Sequence, residues 1–170
     1  MTNRLTRTLA VATLAVSAGC SHGYQFTPDP DIDRIAEHAL ADRRLYLDLE
    51  GVPEQYRASA NGHSFEVTGI RASVRTILTR MFGDDRITAS LPGDAQVDLD
   101  MSFDMSGTMF GVAATCRATC TIRDGDGNEL ATGTGKGEGW AGTMANGGRN
   151  CEIAMLQAMP RALDAAFAKL

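Results

Sequence analysis

The sequence predicts one α+β domain: an antiparallel sheet of about four to five strands with helices packed on one face, behind a short N-terminal segment that is removed. Three observations carry this. Residues 97–104 and 115–123 alternate apolar and polar side chains with period two, as half-buried strands do. Residues 70–82 and 151–170 put apolar side chains on one face at helical spacing. The chain's 170 residues, once the leading segment is lost, suit a single domain with a real core.

Residues 1–19 have the layout of a secretory signal: Arg4 and Arg7, an apolar stretch over 9–16, then small residues up to Gly19. The stretch falls short of the ~20 apolar residues that span a bilayer, so it is expected to be cleaved. Ala18-Gly19-Cys20 resembles the end of the lipobox shared by bacterial lipoproteins, with Ser17 where that motif prefers leucine. The resemblance implies a diacylglyceryl group on the Cys20 thiol, cleavage just before it and acylation of the new amino group. Each buried methylene contributes about 0.8 kcal/mol, so two or more chains hold a protein on a membrane. Ser21 stands where an aspartate often marks inner-membrane retention, which implies the periplasmic side of the outer membrane. An ordinary secretory cut after Ala18, leaving a soluble protein, also satisfies the small-residue rule.

The formal net charge is −5, and loss of Arg4 and Arg7 makes the mature chain more acidic still. A nucleic-acid binder needs a basic face, so that class is excluded. Besides Cys20 the chain has Cys116, Cys120 and Cys151. Cys116 and Cys120 are separated by three residues with no second Cys or His pair nearby, which argues for structural thiols over zinc. An oxidising periplasm would leave one disulfide and one free thiol.

In chain order, residues 20–28 read as a tether and 29–170 as the domain. A helix is expected from Asp29, with Pro30 in its first turn and Ile32, Ile35, Ala36, Ala39 and Leu40 on one face. Residues 44–50 alternate around Leu45, Leu47 and Leu49 and form a strand. Asn61-Gly62 suits a tight hairpin turn before Phe65 and Val67. Ile70, Val74, Ile77, Leu78, Met81 and Phe82 define the second helix, ended by Gly83, with Arg71, Arg75 and Arg80 toward solvent. A short strand near 86–90 precedes a turn at 91–94. Three strands then form a meander over 97–104, 115–123 and 129–137, with Asp98, Asp100 and Asp104 on the wet face. The last helix packs Leu156, Met159, Leu163 and Phe167 inward, with a kink expected at Pro160.

The motifs that suggest chemistry fail on inspection. Asp124-Gly125-Asp126-Gly127-Asn128 opens like a calcium loop, yet Glu129 stands where the turn glycine belongs and Gly135 where the closing carboxylate belongs, so a hairpin turn is expected. Gly133-Thr134-Gly135-Lys136 lacks the spacing of a phosphate loop. His22, His38 and His63 have no spacing that seats a metal or activates a serine. No catalytic residue, metal site or cofactor is expected, and the protein reads as non-enzymatic.

Strand directions place residues 105–112 and 138–149 at one end of the sheet. Their apolar side chains, Met105, Met109, Phe110, Trp140 and Met144, either form a rim for a protein partner or lipid, or close the open end of the core. The sequence leaves both open. The same topology puts Cys151 and Cys116 at that end and Cys120 about 13 Å further down. A Cys116–Cys151 disulfide is therefore expected, with alpha carbons within about 7 Å and a contribution of ~4 kcal/mol in the chain-entropy treatment.

The order of elements behind the lipobox resembles small outer-membrane lipoproteins, namely the LPS-assembly lipoprotein family and the auxiliary lipoproteins of ABC transporters. Beyond Cys20 no residue motif is specific to them. The resemblance implies a lipid-anchored accessory protein that assists a transport or assembly machine through protein contacts. The alternative is a lipid or glycolipid carrier holding its ligand between sheet and helices.

Overall fold

The computed structural model describes residues 21–25, 40, 43–60, 63–89, 94–108, 111–142 and 147–170. Its elements are β1 (Ser21–Gln25), β2 (Leu45–Asp48), β3 (Gln55–Ala60), β4 (His63–Thr68), α1 (Ile70–Phe82), β5 (Ile87–Thr88), β6 (Ala95–Thr108), β7 (Gly111–Arg123), β8 (Glu129–Gly142) and α2 (Gly147–Phe167), with a short 3-10 turn at Asp84–Arg86. The main sheet has five strands in the order β5-β2-β6-β7-β8. The expected α+β class holds. β6, β7 and β8 form the expected antiparallel meander, whereas β2 runs parallel to both β5 and β6, so the sheet is mixed.

Period two decides which face is covered. Val97, Leu99 and Met101 of β6 and Ala114, Cys116, Ala118, Cys120 and Ile122 of β7 are buried, and the intervening side chains form an open polar face. On that face Asp98 pairs with Arg123 at 2.7 Å, and Thr121 and Thr132 are joined by a 3.2 Å hydrogen bond. The strands run longer than the alternation over 97–104 implies, reaching Thr108 and beginning again at Gly111.

α1 has its expected span, and buries Ile70, Val74, Ile77, Leu78, Met81 and Phe82. Gly83 takes a positive φ of 96° and its N–H bonds the Thr79 carbonyl, closing the helix. Arg75 and Arg80 are exposed, while Arg71 reaches back to the Val52 carbonyl. Phe82 meets Phe167 of α2 edge to face, with centroids 5.0 Å apart, so the two helices join at one end of the core.

α2 starts earlier than residue 151 and continues through Pro160. It lies along β8 unusually closely. A Cβ on Gly133, Gly135, Gly137 or Gly139 would overlap the carbonyl oxygen of Ala166, Ala162, Ala158 or Ala154 respectively. Two residues of strand advance about 6.6 Å and four of helix about 6.0 Å, so glycines at every second position and alanines at every fourth stay in step. Met155, Met159 and Leu163 are fully buried beside this seam. Leu156, expected in the core, is half-buried.

A second sheet, β1-β4-β3, was only partly expected. β3 and β4 form a hairpin around Asn61-Gly62, the turn residues lying outside those described. β1 pairs in parallel with β4, from Ser21 opposite Ser64 to Gln25 opposite Thr68. The stretch read as a tether thus contains a strand, because its backbone groups find partners along β4. Val67 is fully buried and Tyr56 packs on Phe103, centroids 5.9 Å apart, which joins this sheet to the main core. Of the helix expected over 29–40, only Leu40 is described, and it is buried.

Candidate functional site

Among the described residues no further strand pairs the outer edge of β8, and side chains of α2, with Lys169 just beyond its end, meet several of that edge's backbone groups. Gln157 Oε1 accepts the Trp140 N–H at 3.1 Å, Arg161 donates to the Glu138 carbonyl at 2.5 Å, and Lys169 Nζ donates to the Thr134 carbonyl at 2.7 Å. An edge covered in this way is a poor template for pairing with another chain. The close approach of α2 explains it: with glycines below the helix, long polar side chains along its edge reach the strand's outward groups.

Trp140, the chain's one tryptophan, stands on this edge and is 56% exposed, more than any other large apolar side chain described. Its ring lies against Gly142, where a Cβ would overlap it. Beside it is a groove of about 590 Å³, lined in part by Ala113, Thr115, Glu138, Gln157 and Arg161. Lys136 pairs with Glu138 at 2.5 Å and holds its carboxyl below the usual range. The rim is thus an exposed indole among polar groups already held by bonds, a composition that suits a protein contact with little ordering cost.

Of the five expected rim residues, Met105 and Trp140 are described, and they lie on opposite faces of the sheet. Residues 105–108 and 138–142 are strand, not loop. Met105, half-buried, belongs to the covered face and packs near Val112 and Cys151. Trp140 points to the opposite face, one residue out of phase with Gly139 and Ala141, which face α2. Strand parity separates the two side chains. Met109, Phe110 and Met144 lie outside the described residues, as does Cys20.

The expected Cys116–Cys151 disulfide is corrected: Cys116, Cys120 and Cys151 are free and buried thiols. β7 begins at Gly111, so Cys116 sits mid-strand. Cys151 is at the level of Val112, four residues from Cys116, about 13 Å by strand rise. Burial pushes the thiols of Cys116 and Cys120 up to about 12 and that of Cys151 to about 11.

At the far end of the sheet, Asp124 accepts hydrogen bonds from the N–H groups of Asp126 and Asn128 and from the Asn128 side chain. The carboxylate that opened the calcium-like motif therefore holds the β7–β8 turn, with Gly127 at φ 85°. Among the described residues no group of three or more His, Cys, Asp or Glu is placed to hold a metal ion. No protein-family model matches the chain, and no curated protein matches it.

The sequence signal missed at this site is the pairing of two periods: glycine at every second position over 133–139 with alanine at every fourth over 154–166. Either stripe alone reads as poor packing material; together they specify close contact.

Proposed function

We propose that the protein is a non-enzymatic lipoprotein, anchored through Cys20 on the periplasmic side of the outer membrane, where it assists a transport or assembly machine by protein contacts. The observation that carries the reading is the sequence Ala18-Gly19-Cys20, which follows Arg4, Arg7 and the apolar stretch over 9–16 and immediately precedes β1. The groove beside Trp140 is the proposed contact for an envelope protein. The buried thiols, raised by desolvation, supply no thiolate nucleophile at neutral pH.

The carrier alternative loses support from one observation. The space it would need between sheet and helix is closed along β8, where strand and helix backbones touch at four successive levels. A partner protein at the exposed edge requires no such space.

Membrane fractionation with intact mass tests the anchor. The wild-type chain is expected in the membrane fraction beginning at an acylated Cys20, and Cys20→Ala in the soluble fraction or uncleaved. A native chain starting at Gly19 with an unmodified thiol rejects the reading. Crosslinking in intact envelopes with and without Trp140→Ala then tests the contact, and an unchanged set of adducts rejects it.

A further inference from the structure

We infer that the tip of the second sheet, made by Ser21 of β1, Ser59 and Ala60 of β3 and His63 and Ser64 of β4, rests on the lipid headgroups, so that the domain is held in one orientation on the bilayer. The inference rests on the anchor proposed above. Cys20 is one peptide unit from Ser21, a Cα separation of about 3.8 Å. Ser21 is already in register opposite Ser64, and Ser64 opposite Ser59. No tether intervenes, so a lipid on Cys20 brings the start of β1 to the membrane surface.

The other end of this sheet is rooted in the body of the protein. Val67 is fully buried, the Ile70 N–H bonds the Glu54 carbonyl, and Tyr56 packs on Phe103. Ser64, at the tip, is exposed. From Thr68 back to Ser64 the strand covers about 13 Å. An anchor at the tip of a rooted sheet constrains direction as well as distance. Charge agrees with this placement. Residues 21–25, 58–60 and 63–65 contain no Asp, Glu, Lys or Arg, although the chain as a whole carries −5. An acidic protein facing anionic headgroups is repelled least through such a surface.

The test uses the mature lipidated chain in vesicles of phosphatidylethanolamine and phosphatidylglycerol carrying a nitroxide on the headgroup. Ser64→Cys and Asp126→Cys are each labelled with a fluorophore under native conditions, with the unsubstituted chain as background for its buried thiols. Asp126 lies in the β7–β8 turn of the other sheet, beyond Arg123 and Glu129. The label at 64 is expected to be quenched several-fold more than that at 126. A flexible insert of about 12 Gly and Ser residues after Cys20, with a root-mean-square reach of roughly 19 Å, should remove the difference. Equal quenching at the two sites without the insert, or a shielded but unquenched label at 64 as a covering protein would give, overturns the orientation. A lipidated chain that does not sediment with the vesicles overturns the anchor itself.

Discussion

Gly135 of β8 and Ala162 of α2 meet backbone to backbone, the alanine carbonyl standing where a side chain on the glycine would begin. The glycine hydrogen in that direction points at the carbonyl oxygen, the geometry of a weak Cα–H···O bond. The contact repeats at three other glycines, so α2 is seated on the strand by shape rather than by large side chains.

Gly135→Ala is expected to destabilise the fold by about 1–3 kcal/mol, the usual cost of overfilling a packed interface, and Gly135→Val by more. Urea unfolding followed by circular dichroism measures this. An unchanged midpoint for the valine variant would show that the helix does not bear on β8 there.

Removing the side chains that cover the β8 edge should expose it to pairing. The variant Gln157→Ala, Arg161→Ala, Lys169→Ala frees the Trp140 N–H and the carbonyls of Glu138 and Thr134. It is expected to self-associate as concentration rises, where the parent does so less. Light scattering across a concentration series reads the outcome, and identical masses for both proteins would refute the covering role.

The three buried thiols should resist alkylation at neutral pH in the native protein and react once it is unfolded. Their raised values also set a pH dependence. Between roughly pH 9, where unfolded thiols ionise, and the folded values of about 11 to 12, the folded state keeps protons that the unfolded state has lost. Stability from this source is whole below pH 9 and falls as pH rises through that window. A triple Cys→Ala variant whose stability declines equally over the same range would contradict the assignment.

Asp124 gives the opposite sign. Bonds first from the Asn128 side chain, then from the Asn128 backbone, hold its carboxyl below the usual range. Its contribution is present above the unfolded value near pH 4 and is lost as pH falls through the lowered one. Asp124→Ala is expected to unfold at lower urea at neutral pH and to lose the part of the acid dependence that this group supplies. Parallel acid titration curves for the two proteins would count against it.

The sequence by itself determined the α+β class, α1 with its glycine stop, the β6-β7-β8 meander and the turn at Asp124, because each rests on local periodicity or turn chemistry over a few residues. Tertiary structure decided what depends on distant partners. β1 became a strand because β4 lies beside it, and β2 became parallel because β5 and β6 return to its two edges. Trp140 and Met105 were legible as apolar residues near one end, but the pleat sent them to opposite faces. The thiol pairing failed for a related reason: extending β7 back to Gly111 moved Cys116 to mid-strand, and a change of a few residues in a strand's start displaces every level above it by over 3 Å per residue. The lipobox-like pattern Ala18-Gly19-Cys20 is a matter of local residue types, whereas the level at which an anchor there would hold the domain depends on β1 beginning at Ser21, a long-range pairing that no local pattern encodes.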